Sequence, residues 1–308
     1  MLQIEKYPHL EWFFKETGIA PADLVKGFEL EKQFHEKILG ESNTAVRKEL
    51  YLDLYRALVP LYEKSHNPES GPNSKLFIVD MFKKELEGRS ILDVGCGAGN
   101  FLICVSDRFN NKTLFGIDVV LPQNFQKEKY KYIRLKEADV IDFILDEKFD
   151  VVFSDNVIEH LAPADLSMHL KSINRALTVG GTLIAILPNR LFGPSDATRI
   201  IDNTHTNRVP ALGSHLNEST YGEFIPLLRE SGFGKFKTTL QFPVLHRTVS
   251  RLLKLIRITP IRITPSIYVW IEKSPKLLNG LYKLRRRHSY LFMLPLIIIC
   301  KKVESPRA

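Results

Sequence analysis

Three sets of residues in this chain have the types and spacing to do chemistry. The first is the run Ile91-Leu92-Asp93-Val94-Gly95-Cys96-Gly97-Ala98-Gly99-Asn100-Phe101, in which three alternate glycines separate an apolar strand from a helix. Glycine lets the chain turn sharply there and brings a ligand against the backbone. The helix start adds free N–H groups and a partial positive charge that favour an anion. Asp118 follows nineteen positions after Gly99, at the end of the apolar run Leu114-Phe115-Gly116-Ile117. A carboxylate at the carboxyl end of a neighbouring strand can accept both hydroxyls of a ribose, so the two features together predict nucleoside binding. The second set is Asp155, His160 and His205, candidates to take a proton from a hydroxyl acceptor. The third is the stretch from Arg247 to Arg287, where eleven basic residues face one acid, Glu272, and so account for more than the net charge of +8.

The elements that must hold these residues are legible from periodicity. Residues 1–87 read as helical. Val46, Leu50, Leu54, Leu58 and Leu61 recur at helical spacing over 43–64, with Ser42 or Asn43 as cap and Pro60 expected to bend or shorten the end. The turn-forming run 67–74 marks a first boundary. From 90 onward, apolar runs at 91–94, 113–117, 132–135, 151–153 and 182–187 read as buried strands, with 235–242 as a further one. Leu166, Leu170, Ile173 and Leu177 form a helix stripe that starts near Pro163 and stops before Gly180. Thr220 and Glu223 predict a capping box, with Gly232 ending that helix. Strand–helix alternation over this length implies an α/β fold with a parallel sheet covered on both faces.

Two nucleotide-binding classes share the logic of the glycine loop. A dinucleotide fold wants glycine at the sixth position of Gly-x-Gly-x-x-Gly, and here that position is Asn100. The pattern Asp93-x-Gly95-x-Gly97-x-Gly99 resembles instead motif I of class I methyltransferases that use S-adenosylmethionine. The resemblance continues in order through Lys136-Glu137-Ala138-Asp139-Val140, through Phe149 to Leu161, and through Leu177-Thr178-Val179-Gly180-Gly181, so it covers about 90–188. It implies a Rossmann-like doubly wound sheet of order 3-2-1-4-5-7-6 with strand seven antiparallel, for which 290–302 is the candidate. It also implies S-adenosylmethionine as cofactor, held by Asp93, Gly95, Cys96, Gly97, Gly99, Asp118, Val119, Asp139, Val140 and Asp155. By that resemblance Asp139 meets the adenine amino group, with the Val140 N–H beside it.

Glu159-His160 stands where ubiquinone-type O-methyltransferases carry a Glu-x-x-Glu-His segment that helps bind a divalent metal. The first acid is replaced by Asn156, so no metal site is expected, and His160 is read as a base or substrate contact. The plain alternative is a helix start with Glu159 placed for the dipole. Asp202-Asn203-Thr204-His205 resembles the Asp-x-Thr-His segment of methyltransferases associated with bacterial glycan and lipid-linked substrates, where His205 faces the acceptor; His215 shares the loop. The basic segment 245–289 is extra to the core fold and interleaves its charges with Leu252, Leu253, Ile256, Ile258, Tyr268 and Trp270. A solvated helical lid, contact with anionic lipid and contact with nucleic acid are its three readings. Pro260, Pro265 and Pro275 break any single long helix, and the lack of a recognised RNA-binding module ranks lipid above nucleic acid.

Bulk properties set the remaining bounds. With 44% hydrophobic residues a packed core is feasible. Cys96, Cys104 and Cys300 are widely separated in apolar surroundings, which argues against a disulfide framework and for a reducing compartment. No apolar leader follows the N-terminus, and the longest apolar run, 291–300, is too short to span a bilayer. The expectation is a cytoplasmic protein, at most peripheral on a membrane. It comprises a helical cap over 1–87, a cofactor-binding core over 88–244, a basic helical insert over 245–289, and a last strand and tail over 290–308. The expected reaction is O-methylation of a small-molecule, glycan or lipid-linked acceptor. RNA methylation is the rival among enzymes, opposed by Ser154-Asp155-Asn156-Val157 where an Asn-Pro-Pro-Tyr segment would stand. A catalytically silent binding protein is the rival outside them, opposed by the intact glycines, Asp118 and Asp139.

Overall fold

A mixed sheet of eight strands holds the chain together in the computed structural model, which describes residues 6–63, 75–121, 130–240, 261–287 and 295–304. The strands are β1 (Ser90–Val94), β2 (Thr113–Asp118), β3 (Ile133–Glu137), β4 (Phe149–Asp155), β5 (Leu177–Leu187), β6 (Phe233–Thr239), β7 (Arg262–Ile263) and β8 (Leu296–Lys302). Their order is β3-β2-β1-β4-β5-β8-β6-β7. Strands β1 to β5 pair in parallel, and β8 runs antiparallel to both β5 and β6. This is the Rossmann-like order implied by the sequence motifs, with a two-residue strand, β7, added at the edge. That strand corrects the expectation of a purely helical insert. Leu240 N–H donates to the Ile261 carbonyl, so β-branched Ile261 and Ile263 run back along β6 and pair with its exposed edge. The boundary at 67–74, residues 241–242 of the expected strand 235–242, residues 245–260 and 288–289 of the insert, and 290–294 of the expected last strand lie outside the described residues.

The helices are α1 (Leu10–Thr17), α2 (Pro21–Gly40), α3 (Thr44–Glu63), α4 (Leu76–Met81), α5 (Lys83–Leu86), α6 (Asn100–Arg108), α7 (Pro163–Ala176), α8 (Tyr221–Glu230), α9 (Ser266–Glu272) and α10 (Pro275–Arg287). Pro60, expected to bend or shorten the end of this helix, lies inside α3, which is described to Glu63. It sits in the last turn, where a proline removes a single backbone donor and the helix closes around it. The capping box of α8 forms as predicted, with Thr220 N–H donating to Glu223 Oε2 at 3.0 Å.

Alternation along the strands sends successive side chains to opposite faces, and both faces are buried. On one, Leu166, Leu170 and Ile173 of α7, Phe224 and Leu228 of α8, and Tyr51, Leu54 and Leu58 of α3 pack on Leu92, Val94, Val152 and Leu183. On the other, Val79, Phe82 and Leu86 join Phe101, Leu102 and Val105 over Ile91, Val151, Phe153 and Ile184. Each such side chain, fully buried, contributes roughly 1.5–3 kcal/mol. A third cluster fastens α1 and α2 to the chain after β5, through Tyr7, Leu10, Leu24 and Phe28 against Ala197 and Ile200. A buried charge pair locks α3 onto α7: Arg47 Nε donates to Asp165 Oδ2 at 2.8 Å and Arg47 Nη2 to Asp165 Oδ1, while Tyr51 Oη donates to Asp165 Oδ2 at 3.0 Å.

Candidate active site

The turn after β1 is tied to the end of β2. Gly95 and Cys96 N–H both donate to the Ile117 carbonyl, at 2.8 and 3.1 Å, and Gly97 N–H donates to Asp118 Oδ2 at 2.7 Å. Gly95 stands at φ +77°, and a Cβ there would lie 2.1 Å from Val157 Cγ2, so backbone and space both demand glycine. Burial pushes the Asp118 carboxyl above its ordinary value, against the pull of the Gly97 N–H.

These residues open onto a cavity of about 500 Å³ at the carboxyl edge of the sheet. Gly95 follows β1, Asp118 and Val119 close β2, Asp139 and Val140 follow β3, and Asn156 and His160 follow β4; Lys48, Tyr51, Tyr55 and Arg56 of α3 complete the lining. Asp139 is held in place: its Oδ1 accepts from Ile141 N–H at 2.8 Å, and Lys48 Nζ pairs with its Oδ2 at 2.5 Å. The same loop is fixed from behind by His169 of α7, whose Nδ1 meets the Val140 carbonyl at 2.7 Å. Asn156 turns the chain out of β4 at φ +56°, anchored by its N–H on the Ile186 carbonyl at 2.9 Å.

His160 reaches the cavity from a single 3-10 turn, Ile158–His160. Its Nδ1 lies 3.1 Å from the Ser214 carbonyl, which requires a proton on Nδ1 and leaves the Nε2 lone pair available. Burial, followed by the neighbouring His215, pushes His160 down to about 3, so its ring is neutral. His215 packs edge-on against it at 4.8 Å between ring centroids, and its Nδ1 meets Glu218 Oε1 at 2.8 Å. Glu159 is buried, neither carboxylate oxygen has a hydrogen-bond partner among the described residues, and burial raises its pKa to about 7. Ligand-type atoms of Glu159, His160 and His215 lie within 4.8 Å of one another, a set that could hold a metal ion. The sequence motif led to an expectation of none. The third member comes from the loop before α8, where linear spacing gives no sign of it.

The match to known proteins falls on this same stretch. Residues 91–181 match the family model described as a methyltransferase domain. The likeness is to a methyltransferase domain, over less than a third of the chain. The trans-aconitate 2-methyltransferase of Rhodopseudomonas palustris (strain BisB5) is 29% identical over 111 residues, 36% of this chain and 43% of that protein. The (S)-coclaurine N-methyltransferase of Papaver somniferum is 22% identical over 209 residues, 59% of this chain and 56% of that one. The chain thus spans about half the length of these curated relatives, or less. The solved 1,6-didemethyltoxoflavin-N1-methyltransferase of Burkholderia thailandensis aligns with a TM-score of 0.48 and 14% identity, over 84% of this chain and 88% of that one.

Within the matched segment and around it, the structure sorts the residues picked out by sequence. Gly95, Asp118, Val119, Asp139, Val140 and His160 line the cavity. Gly97 and Gly99 shape the loop, at φ +48° and +73°, and Cys96 packs behind it against Gly116. Asp93 is buried in β1, where burial and then Asp155 push its carboxyl well up. Asp155 pairs with Lys75 at 2.6 Å and does not line the cavity. His205 lies elsewhere, at φ +53°, with Nε2 3.3 Å from Arg199 Nη2 and its ring edge toward Trp12 of α1. Sequence reasoning passed over Lys48, Tyr51 and Tyr55, whose three- and four-residue steps already marked one face of a helix. S-adenosylmethionine fits what is present. An acid closes β2 with one oxygen on the glycine loop and the other 3.5 Å from Val120 N–H, and a Cβ at Gly97 would meet open space.

Proposed function

We propose that the chain moves the methyl group of S-adenosylmethionine onto an oxygen of a small-molecule acceptor, in particular a glycan or lipid-linked one. The observation that carries this reading is the convergence of Gly95, Asp118, Asp139 and His160 on one cavity. The trans-aconitate and coclaurine methyltransferases among its relatives act on small molecules by name, which supports a small acceptor. Asp118 would hold the ribose hydroxyls, Asp139 and the Val140 N–H the adenine, and the loop from Gly95 to Gly99 the rest of the cofactor, with Val119 beside it.

When bound, S-adenosylmethionine supplies an electrophilic methyl group on a sulfonium. Methyl transfer then needs the acceptor held in line and one proton removed. His160 is suited to the proton: its Nδ1–H is engaged by Ser214, so Nε2 can accept a hydrogen bond from the acceptor hydroxyl. A hydroxyl proton becomes strongly acidic as its oxygen takes on a methyl group, so a weakly basic imidazole suffices to receive it. Tyr55, edge-on to His160 at 6.0 Å, and Arg56 would frame the acceptor from α3.

The test incubates the purified chain with S-adenosylmethionine carrying a labelled methyl group and a cell extract, then counts label in organic-solvent, aqueous, nucleic-acid and protein fractions. Label in the organic or aqueous small-molecule fraction, lost with Asp118→Ala, is the expected result. Label in nucleic acid would replace the acceptor class with RNA. Absence of both transfer and cofactor binding would leave a silent relative of the fold.

A further inference from the structure

The basic segment remains without a role in this reading, and its described part has an unusual outer face. Helices α9 and α10 are anchored from within. Tyr268 stacks on Tyr221 at 4.9 Å and its hydroxyl donates to the Thr239 carbonyl, while Tyr282 Oη donates to the Leu191 carbonyl at 2.9 Å. Glu272, the one acid between 261 and 287, is turned inward, where its carboxylate accepts from Tyr221 and Gly222 N–H at 2.8 and 2.9 Å and caps α8. Outward, Ile267 and Trp270 stand 44% and 64% exposed one turn apart on α9, with Ile261 before them and Leu277 after, and Lys273, Lys276 and Lys283 are also exposed. Arg285, Arg286 and Arg287 continue the positive charge in sequence.

A helix that turns its only acid to the protein and leaves isoleucine and tryptophan in water among lysines is built for a surface that is both apolar and negative. We propose that the α9–α10 face docks on an anionic lipid bilayer. Insertion of Ile267 and Trp270 below the headgroups would bury apolar area, and the lysines would meet lipid phosphates. Nucleic acid satisfies the charge but gives exposed isoleucine and leucine no apolar partner, so lipid is the occupant the face fits. Placement supports it. Tyr268 is fixed to the last residue of β6, and Tyr282 to the chain just past β5, so the face hangs at the carboxyl edge of the sheet, where the cavity opens. Among the described residues no helix is long and apolar enough to cross a membrane.

The full chain is tested by co-sedimentation with phosphatidylcholine vesicles, with and without phosphatidylglycerol, and in parallel by titration with a labelled RNA oligonucleotide. Binding to the anionic vesicles, falling with salt and absent on pure phosphatidylcholine, is expected. In the Trp12→Phe background a blue shift of the remaining Trp270 emission should accompany it. Lys273→Gln with Lys276→Gln should lower partitioning about thirtyfold, and Ile267→Ser with Trp270→Ser should remove the apolar share. Unchanged melting temperatures and S-adenosylmethionine affinity show that these variants fold. No vesicle binding by the folded chain at low salt, binding that survives both double variants, or tight RNA binding by this face without lipid binding would overturn the proposal. Loss of methyl transfer leaves this test untouched, because vesicle binding is read without turnover.

Discussion

At the scale of single residues, two histidines that follow strands of the sheet have different surroundings and therefore different work. His160 lines the cavity with a neutral ring, while His205 is fastened to Arg199 and Trp12 away from it. His160→Ala is expected to lower kcat about a hundredfold or more with little change in cofactor affinity, as general-base losses do. His205→Ala is expected to leave kcat within a few-fold and to lower the melting temperature instead. Steady-state kinetics beside thermal melts distinguish the two, and equal losses of kcat would remove the assignment of His160. The sequence singled out both histidines by the motifs that they resemble. Proximity to the cofactor depends on a turn geometry that residue types alone do not reveal.

At the scale of elements, the clamp between α3 and α7 positions one wall of the site. Arg47 and Asp165 are almost fully buried and paired, and Tyr51, which lines the cavity, donates to the same carboxylate and accepts from Ala162 N–H at 2.7 Å. Removing one partner strands a buried charge, so Asp165→Ala should destabilise the chain by about 3–5 kcal/mol in urea unfolding. Replacing both at once, Arg47→Met with Asp165→Leu, should recover most of that loss, since no charge is then left unpaired. If the single and double variants unfold alike, the clamp contributes nothing beyond packing. The helix was legible from Leu50, Leu54 and Leu58, but its docking partner was not, because the pairing joins residues 118 positions apart.

At the scale of the whole molecule, a buried polar network joins the N-terminal helices to the loop before α8. Glu31 of α2 accepts from Tyr62 Oη and from Ser214 N–H, and burial, then the charge of Asp196, raises its pKa to about 7. Burial alone would lower His215, but its bond to Glu218 and the charges of Asp196 and Glu159 lift it to about 9. Both folded values lie above those of the unfolded chain. Each group therefore supplies stability that is complete below its unfolded pKa and is lost as pH rises through its folded pKa. Above about 6.5, where the lowered His160 and His169 no longer oppose them, the urea midpoint should fall as pH rises to about 9. Glu31→Gln should flatten the lower part of that fall and His215→Gln the upper part, and a midpoint that rises over this range would reverse the sign.

What the sequence by itself determined is the parts of the core: the alternation of strands and helices, the glycine loop, the acids at the end of β2 and after β3, and the capped α8. These are local patterns of period, turn chemistry and spacing, and each is settled within about twenty residues by backbone sterics and burial. Only the tertiary structure decided which groups share a space. It brought Lys48 to Asp139, joined His215 to His160 and Glu159, sent His205 to Trp12, and turned Glu272 inward so that the outer face of α9 keeps its lysines and apolar side chains. Such juxtapositions follow from how helices pack across the sheet. That packing is set by many weak contacts between segments far apart in the chain, and no short stretch of sequence contains both partners.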